Sequence, residues 1–336
     1  MIQYVIKRLG WAIFVVAVVA VLVFLLMNRV GAPAVATLGP NAGPQQIQDF
    51  KRKNGLDQPL AVQFAAYLGV VPCVRQGSRA FKDHPDDPGY CGLLQGDLGD
   101  SFTHNEPVAR VIAHRLPRTL LLGVLAIFFE IFLGVSVGIL AAVKRNTWFD
   151  TGFMATAFLG ISLPTYVTGP IFLLVFAFFF GWFPVGGYGE GFWDHVYHGI
   201  LPAFTLAIVG AATYARITRS EMIETLRSDY IRTAKAKGLG PSTIVVKHGL
   251  RNALLPLVTL LGLDLSLLVA GAIITENIFA WPGMGALAIQ SIVGLDAPTV
   301  MGVVLVFSAM VQVGNLLADL AIAALDPRVR LGNEPS

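Results

Sequence analysis

From position 9 to position 28 the chain carries no charged residue, and this one run decides what kind of molecule it can be. A hydrocarbon core of about 30 Å, at 1.5 Å per helical residue, asks for about 20 apolar residues per crossing. Backbone in lipid must satisfy its own hydrogen bonds, so a run of this length is expected to be a transmembrane helix. Lys7 and Arg8 precede it and Ala34-Val35-Ala36 follows it, the layout of a cleaved signal peptide. The apolar region of a signal peptide is shorter, about 7 to 15 residues, which favours a retained crossing. Further runs of the same kind lie at about 118–143, 151–180, 199–215, 252–275 and 297–325. The expected fold class is therefore an all-α polytopic membrane protein with about six crossings.

Composition enters as a check. The 336 residues are 55% apolar and only 13% charged, with mean hydropathy +0.66, whereas a soluble chain is about 25% charged. A cytosolic enzyme, a disordered protein and a nucleic-acid binder are excluded, and the net charge of +3 is too small to imply a polyanionic partner. The position of the basic residues says more. With the first loop outside, the short inner segments hold Lys7, Arg8, Lys144, Arg145, Arg328 and Arg330, and residues 216–251 add Arg216, Arg219, Arg227, Arg232, Lys235, Lys237, Lys247 and Arg251. The short outer loops at 181–198 and 279–296 hold no Lys or Arg. This asymmetry predicts that both termini are cytoplasmic. The expected division is residues 1–30 (tail and first crossing), 31–117 (outer cap), 118–325 (five-helix core with an inner segment at 216–251) and 326–336 (cytoplasmic tail). Pro164 and Pro170 should interrupt the third crossing, and Gly134-x-x-x-Gly138 in the second should let another helix approach closely.

The outer segment at 31–117 is too polar for lipid. PQQIQDFKRK at 44–53 reads as a short helix stopping near Asn54-Gly55, and a second follows at about 59–68. Cys73 and Cys91 bracket a polar stretch with Arg75, Arg79, Lys82, Asp83, Asp86 and Asp87. Such a stretch has little core of its own, and on the oxidising side a bond between the two cysteines would remove loop-closure entropy, about 3 kcal/mol for a loop of this size. The alternative is a pair of free thiols.

On the inner side, YIRTAKAKG at 230–238 reads as a basic, partly apolar helix with Tyr230, Ile231 and Ala234 near one face and a glycine stop. Gly240-Pro241 then starts another helix, proline being tolerated at the first position. A short helix standing off the membrane suits a soluble partner, while the plainer reading is a solvated loop that is basic because it is cytoplasmic.

YIRTAKAKGLG at 230–240 with KHGLRNALLP at 247–256 resembles the EAA-type coupling motif of ABC importer permeases, in the form found in B-type subunits of the dipeptide, oligopeptide and nickel family. Arg232, Thr233 and Ala234 stand where the general form has Glu-Ala-Ala. The resemblance extends over YVIKRL at 4–9, GLDQPL at 55–60, GDLGDS at 96–101, RLPRTL at 115–120, ENIFAWPGMG at 276–285 and LDPRVR at 325–330. The Cys73 to Cys91 stretch looks like an insertion.

The resemblance implies a type I ABC importer permease in a bacterial inner membrane. Its partners would be a second, C-type permease forming a heterodimer, two ATP-binding subunits and an extracytoplasmic substrate-binding protein. The coupling residues would be Tyr230, Ile231, Arg232, Thr233, Ala234, Lys235, Ala236, Lys237, Gly238 and Leu239. ATP and Mg would sit on the partner subunits: no phosphate-loop motif occurs in this chain, which is expected to be a transport subunit with no ATPase site, cofactor or metal of its own. The expected cargo is a di- or oligopeptide, with glutathione or nickel as alternatives in the same family. A secondary transporter driven through intramembrane carboxylates is the rival from another class, and no internal repeat speaks for it.

Three acidic residues fall inside the expected crossings: Glu130, Asp264 and Asp319. Intramembrane charge is expensive, so each is a candidate for the substrate pathway or for a structural pair with another helix. For Asp319, near the inner end, the structural role is favoured. His195 and His198, with Glu190 and Asp194, have a spacing that could hold a metal, although a histidine-bearing surface loop explains it as well.

Overall fold

The computed structural model describes residues 2–28, 33–77 and 89–325. Arg79, Lys82, Asp83, Asp86 and Asp87, and the tail at 326–336 with Arg328 and Arg330, lie outside the described residues. The described residues form helices joined by turns and loops, with isolated bridges only between Pro72 and Tyr90 and between Asp100 and Pro107. In chain order the helices are α1 (Ile2–Met27), α2 (Pro33–Leu38), α3 (Pro44–Lys53), α4 (Leu60–Leu68), α5 (Val108–Val143), α6 (Trp148–Ser162), α7 (Thr165–Phe172), α8 (Phe192–Leu226), α9 (Asp229–Ala236), α10 (Pro241–Thr243), α11 (Arg251–Ile278), α12 (Met284–Val293) and α13 (Ala297–Leu325).

Among the described residues four helices are long and apolar enough to cross a membrane alone, over Ile6–Met27, Val108–Val143, Phe192–Leu226 and Ala297–Leu320. The third expected crossing is divided. Proline disfavours helix in the residue before it, and α6 accordingly ends at Ser162, with Leu163 extended before Pro164. Pro170 then sits inside α7, which runs on as a wider π-helical turn over Leu173–Phe179. The fifth expected crossing corresponds to α11, 28 residues long, which grows without a break out of α10 and a π-helical stretch over Ile244–Leu250.

The chain forms two compact units. The first comprises Met1–Arg8, Thr119–Gly285 and Met310–Ser336. α8 packs on α6 and α11, and glycine lets α5 approach it closely: a Cβ on Gly134 would lie 2.7 Å from the Ala211 carbonyl oxygen, and one on Gly138 2.7 Å from that of Ala215. The small residues at 134 and 138 therefore serve packing within this chain. Leu122, Ala126, Ala203 and Trp281 form one buried cluster, Ala177, Leu201 and Phe279 a second, and Ala142, Met222 and Ala253 a third.

The second unit comprises Leu9–Arg118 and Ala286–Ala309. α3 ends at Asn54 and α4 at Gly69, which takes φ +82°, the left-handed value that glycine adopts without strain. Phe24 near the end of α1 meets Phe64 and Tyr67 of α4 at ring-centre distances of 5.1 and 5.9 Å. Cys73 and Cys91 are joined in a disulfide, and Arg75 pairs with Asp97.

Candidate functional site

The inner segment is held by two small side chains and exposes the rest. α8 continues to Leu226, and α9 follows after Arg227 and Ser228. Ile231 is fully buried and Ala234 6% exposed, whereas Arg232, Lys235 and Lys237 face solvent. Tyr230, expected on the same face as Ile231 and Ala234, is 43% exposed, and its hydroxyl donates to the His248 carbonyl at 3.4 Å. Adjacent helical positions diverge by about 100°, so a face containing Ile231 and Ala234 leaves residue 230 at its edge. Gly238 has φ +78°, its N–H donates to the Lys235 carbonyl, and α10 begins at Pro241. The result is a short basic helix fixed at its base.

An ion pair not anticipated from the sequence braces the helix that leads there. The Arg219 guanidinium of α8 donates to both carboxylate oxygens of Asp150 at 2.6 and 2.7 Å, and the Asn146 N–H adds a third bond to Asp150. Asp150 is 4% exposed, so the pair is a desolvated two-pronged link between α6 and α8. Arg219 had counted only as one of many inner cations, and Asp150 stands just before the expected start of the third crossing.

Farther along α8 two of the three intramembrane acids come together. The Tyr214 hydroxyl donates to Asp264 of α11 at 2.5 Å. Glu130 of α5 lies against Gly210, where a Cβ would collide with its carboxyl, and is within electrostatic reach of both Asp264 and Tyr214. Glu130, Tyr214 and Asp264 thus make one polar cluster joining three helices, and both acids are only half-buried. Asp319 stands elsewhere, paired with Arg8 at 3.1 Å.

The outer histidines do not converge. His195 lies 2.8 Å from the Tyr188 carbonyl oxygen through Nδ1 and stacks on the Tyr188 ring. His198 uses Nδ1 toward the Asp194 carbonyl and carboxylate, and the same carboxylate caps the Glu190 N–H. Both imidazoles are engaged by their neighbours in this loop and not by each other.

Two buried acids escaped the sequence reading because they lie just outside the expected crossings, Glu276 in the last turn of α11 and Asp296 immediately before α13. Glu276 is fully buried and accepts the Thr119 hydroxyl at 2.6 Å and the Gly285 N–H at 2.7 Å, while Thr119 Oγ1 accepts the Met284 N–H. Asp296, also fully buried, accepts the Ser101 and Thr103 hydroxyls, the Phe102 and Thr103 N–H groups, and the Thr299 hydroxyl. Burial alone would push the Asp296 carboxyl up, but these bonds outweigh it and hold it below the usual carboxylate range. Asp296-Ala-Pro-Thr299 immediately before an apolar run is a helix N-cap pattern, the signal that would have found it.

Residues 134–331 match the family described as "Binding-protein-dependent transport system inner membrane component", and residues 1–123 match its N-terminal companion, "Binding-prot-dependent transport system membrane comp, N-term". Similar proteins include the glutathione transport system permease protein GsiC of Salmonella choleraesuis (strain SC-B67), 39% identical over 98% of this chain and 99% of that one. The proteins of the same name from Salmonella typhimurium and from Escherichia coli K12 are 39% and 38% identical over the same shares.

Proposed function

Because the chain belongs to the family of binding-protein-dependent transport system inner membrane components, we propose that it carries glutathione or a closely similar small peptide inward, as one half of a two-permease pathway. The substrate follows from the relatives, which are glutathione transport permeases over their whole length. The second permease is a C-type subunit of the same class. Substrate arrives from an extracytoplasmic binding protein, and ATP and Mg are held by two partner ATPases. Both termini face the cytoplasm in this reading, which the distribution of Lys and Arg supports.

The observation that carries the coupling half of this reading is α9, with Ile231 and Ala234 anchored and Tyr230, Arg232, Lys235 and Lys237 presented outward. An ATPase subunit that grips this helix moves whatever Ile231 and Ala234 are packed into. α8 runs from this region to the Glu130, Tyr214 and Asp264 cluster, so displacement of α9 is transmitted along a continuous helix to the polar centre of the crossings. The two half-buried acids there attract the ammonium group of the peptide, and in a site of reduced dielectric that attraction exceeds its value in water.

Reconstitution of the chain with its C-type partner, ATPases and binding protein into vesicles tests both halves. Glutathione added outside is expected to stimulate ATP hydrolysis and to accumulate inside. Gly238→Val forces a β-branched residue to positive φ and distorts the end of α9, so the assembled complex should lose at least about tenfold of the stimulated hydrolysis, about 1.4 kcal/mol of coupling. Unchanged stimulation by this variant rejects the coupling role. Accumulation of nickel, or only of peptides much longer than glutathione, rejects the substrate.

A further inference from the structure

The unit made of Leu9–Arg118 and Ala286–Ala309 encloses a cavity of about 500 Å³ that the transport reading does not use. That volume is within the range of small-molecule sites. Two of the helices that can cross a membrane alone end on its wall: Phe24 and Met27 close the Ile6–Met27 span, and Ala297, Pro298 and Met301 open the Ala297–Leu320 span. An apolar crossing ends where lipid tails give way to headgroups, so the cavity lies at that level.

Its wall changes chemistry from one part to another. Phe24, Met27 and Met301 are apolar, while Lys51 and Lys53, from the last turn of α3, are basic. Among the described residues neither lysine has an ion-pair partner, whereas Arg75, also on the wall, is taken up by Asp97. Tyr67 adds an independent observation. Its ring is held by Phe24 and Phe64, yet its buried hydroxyl has no hydrogen-bond partner among the described residues. Buried hydroxyls are almost always paired, so this donor calls for an acceptor from within the cavity. Two unpaired cations, a waiting O–H donor and an apolar wall at headgroup depth are the complement of an amphiphilic anion.

We propose that this cavity binds a membrane phospholipid with an anionic headgroup. Its phosphate and headgroup charge face Lys51, Lys53 and the Tyr67 hydroxyl, and an acyl chain lies along Phe24, Met27 and Met301. Glutathione fits poorly, because it is polar along its length and would leave the apolar wall without a partner. The lysine stems themselves add apolar surface beside the chain while their ammonium groups stay at the headgroup. The bound lipid ties the outer rim of α1 to α3 and α4.

The test is native mass spectrometry of the whole transporter complex, reconstituted in equal phosphatidylglycerol and phosphatidylcholine and then extracted. Wild type should retain an additional phosphatidylglycerol that the Lys51→Glu, Lys53→Glu double variant loses, with the preference over phosphatidylcholine falling about tenfold, the size expected of two interfacial ion pairs. Tyr67→Phe, which removes only the hydroxyl, should weaken retention by about fivefold. Equal retention of the two lipids, or retention indifferent to all three substitutions, overturns the proposal. Displacement of the lipid by millimolar inorganic phosphate makes this a free-anion site and displacement by glutathione makes it a substrate site; either result also overturns the proposal.

Discussion

Asp296 and Glu276 on one side, and Glu130 and Asp264 on the other, are two opposite uses of a carboxylate. The first two are fully buried, Asp296 among five donors and Glu276 with a donor on each oxygen. The second two are half-buried, have one donor between them in the Tyr214 hydroxyl, which bonds Asp264, and stand close enough to repel each other. A buried charge with every lone pair occupied is a device for holding backbone, since removing it strands its donors. A half-satisfied pair of like charges contributes little to folding and remains free to receive a cation. Completeness of hydrogen bonding separates structural from functional acids here better than position relative to the membrane does.

The largest effect should come from Asp296. Asp296→Ala strands three hydroxyl donors and two N–H donors and removes the cap of α13, so thermal unfolding of the purified complex should reveal a loss of about 3 kcal/mol or more. Its pH dependence has a definite sign. A carboxyl held below its unfolded value of about 3.9 contributes stability that is complete above that pH and is lost as pH falls through the folded value. The unfolding temperature should therefore be flat from neutral pH to about 5 and drop below about 4. Asp296→Asn should flatten that acid limb; an unchanged limb would mean another group is responsible.

A smaller loss is expected at Glu276. Glu276→Gln keeps the carbonyl for one donor but turns an N–H toward the other, Thr119 Oγ1 or the Gly285 N–H, at a cost of about 2 kcal/mol in the same unfolding measurement. If transport falls without any loss of stability, Glu276 belongs with the functional pair and the comparison fails there.

The smallest effect on stability, and the one that sharpens the contrast, belongs to the polar cluster. Glu130→Gln with Asp264→Asn should change stability by less than about 1 kcal/mol, since it removes a repulsion while keeping acceptors for Tyr214. Glutathione uptake by the assembled complex should nonetheless fall several-fold, measured as radiolabel accumulated in vesicles. Uptake equal to wild type would exclude both residues from the pathway.

The helices of the cap illustrate how far local sequence reaches. α3 begins and ends where Pro44 and Asn54 indicate, and α4 falls within a residue of the expected 59–68, because caps and stops act over a single turn. The break of the third crossing at Pro164 was legible for the same reason. The edge position of Tyr230 was not, since whether a side chain at the margin of a helical face is covered depends on what packs there. Nor was the meeting of Asp150 with Arg219, 69 positions away, whose two charges carry no mark of pairing in the sequence.

Local sequence is enough to specify a helical membrane protein, because apolar run length, charge asymmetry and short-range caps are quantities that lipid and water read directly, while the transport family is read from the resemblance carried by the motifs at 230–256. Which acids are saturated and which remain half-satisfied was decided only in three dimensions. Asp296 finds Ser101 and Thr103 nearly two hundred positions away, Glu276 finds Thr119, Asp264 finds Tyr214, and Glu130 comes within electrostatic reach of Asp264. The energy of a carboxylate is set by the donors and charges within a few ångströms of it, and that neighbourhood does not exist until the helices have packed.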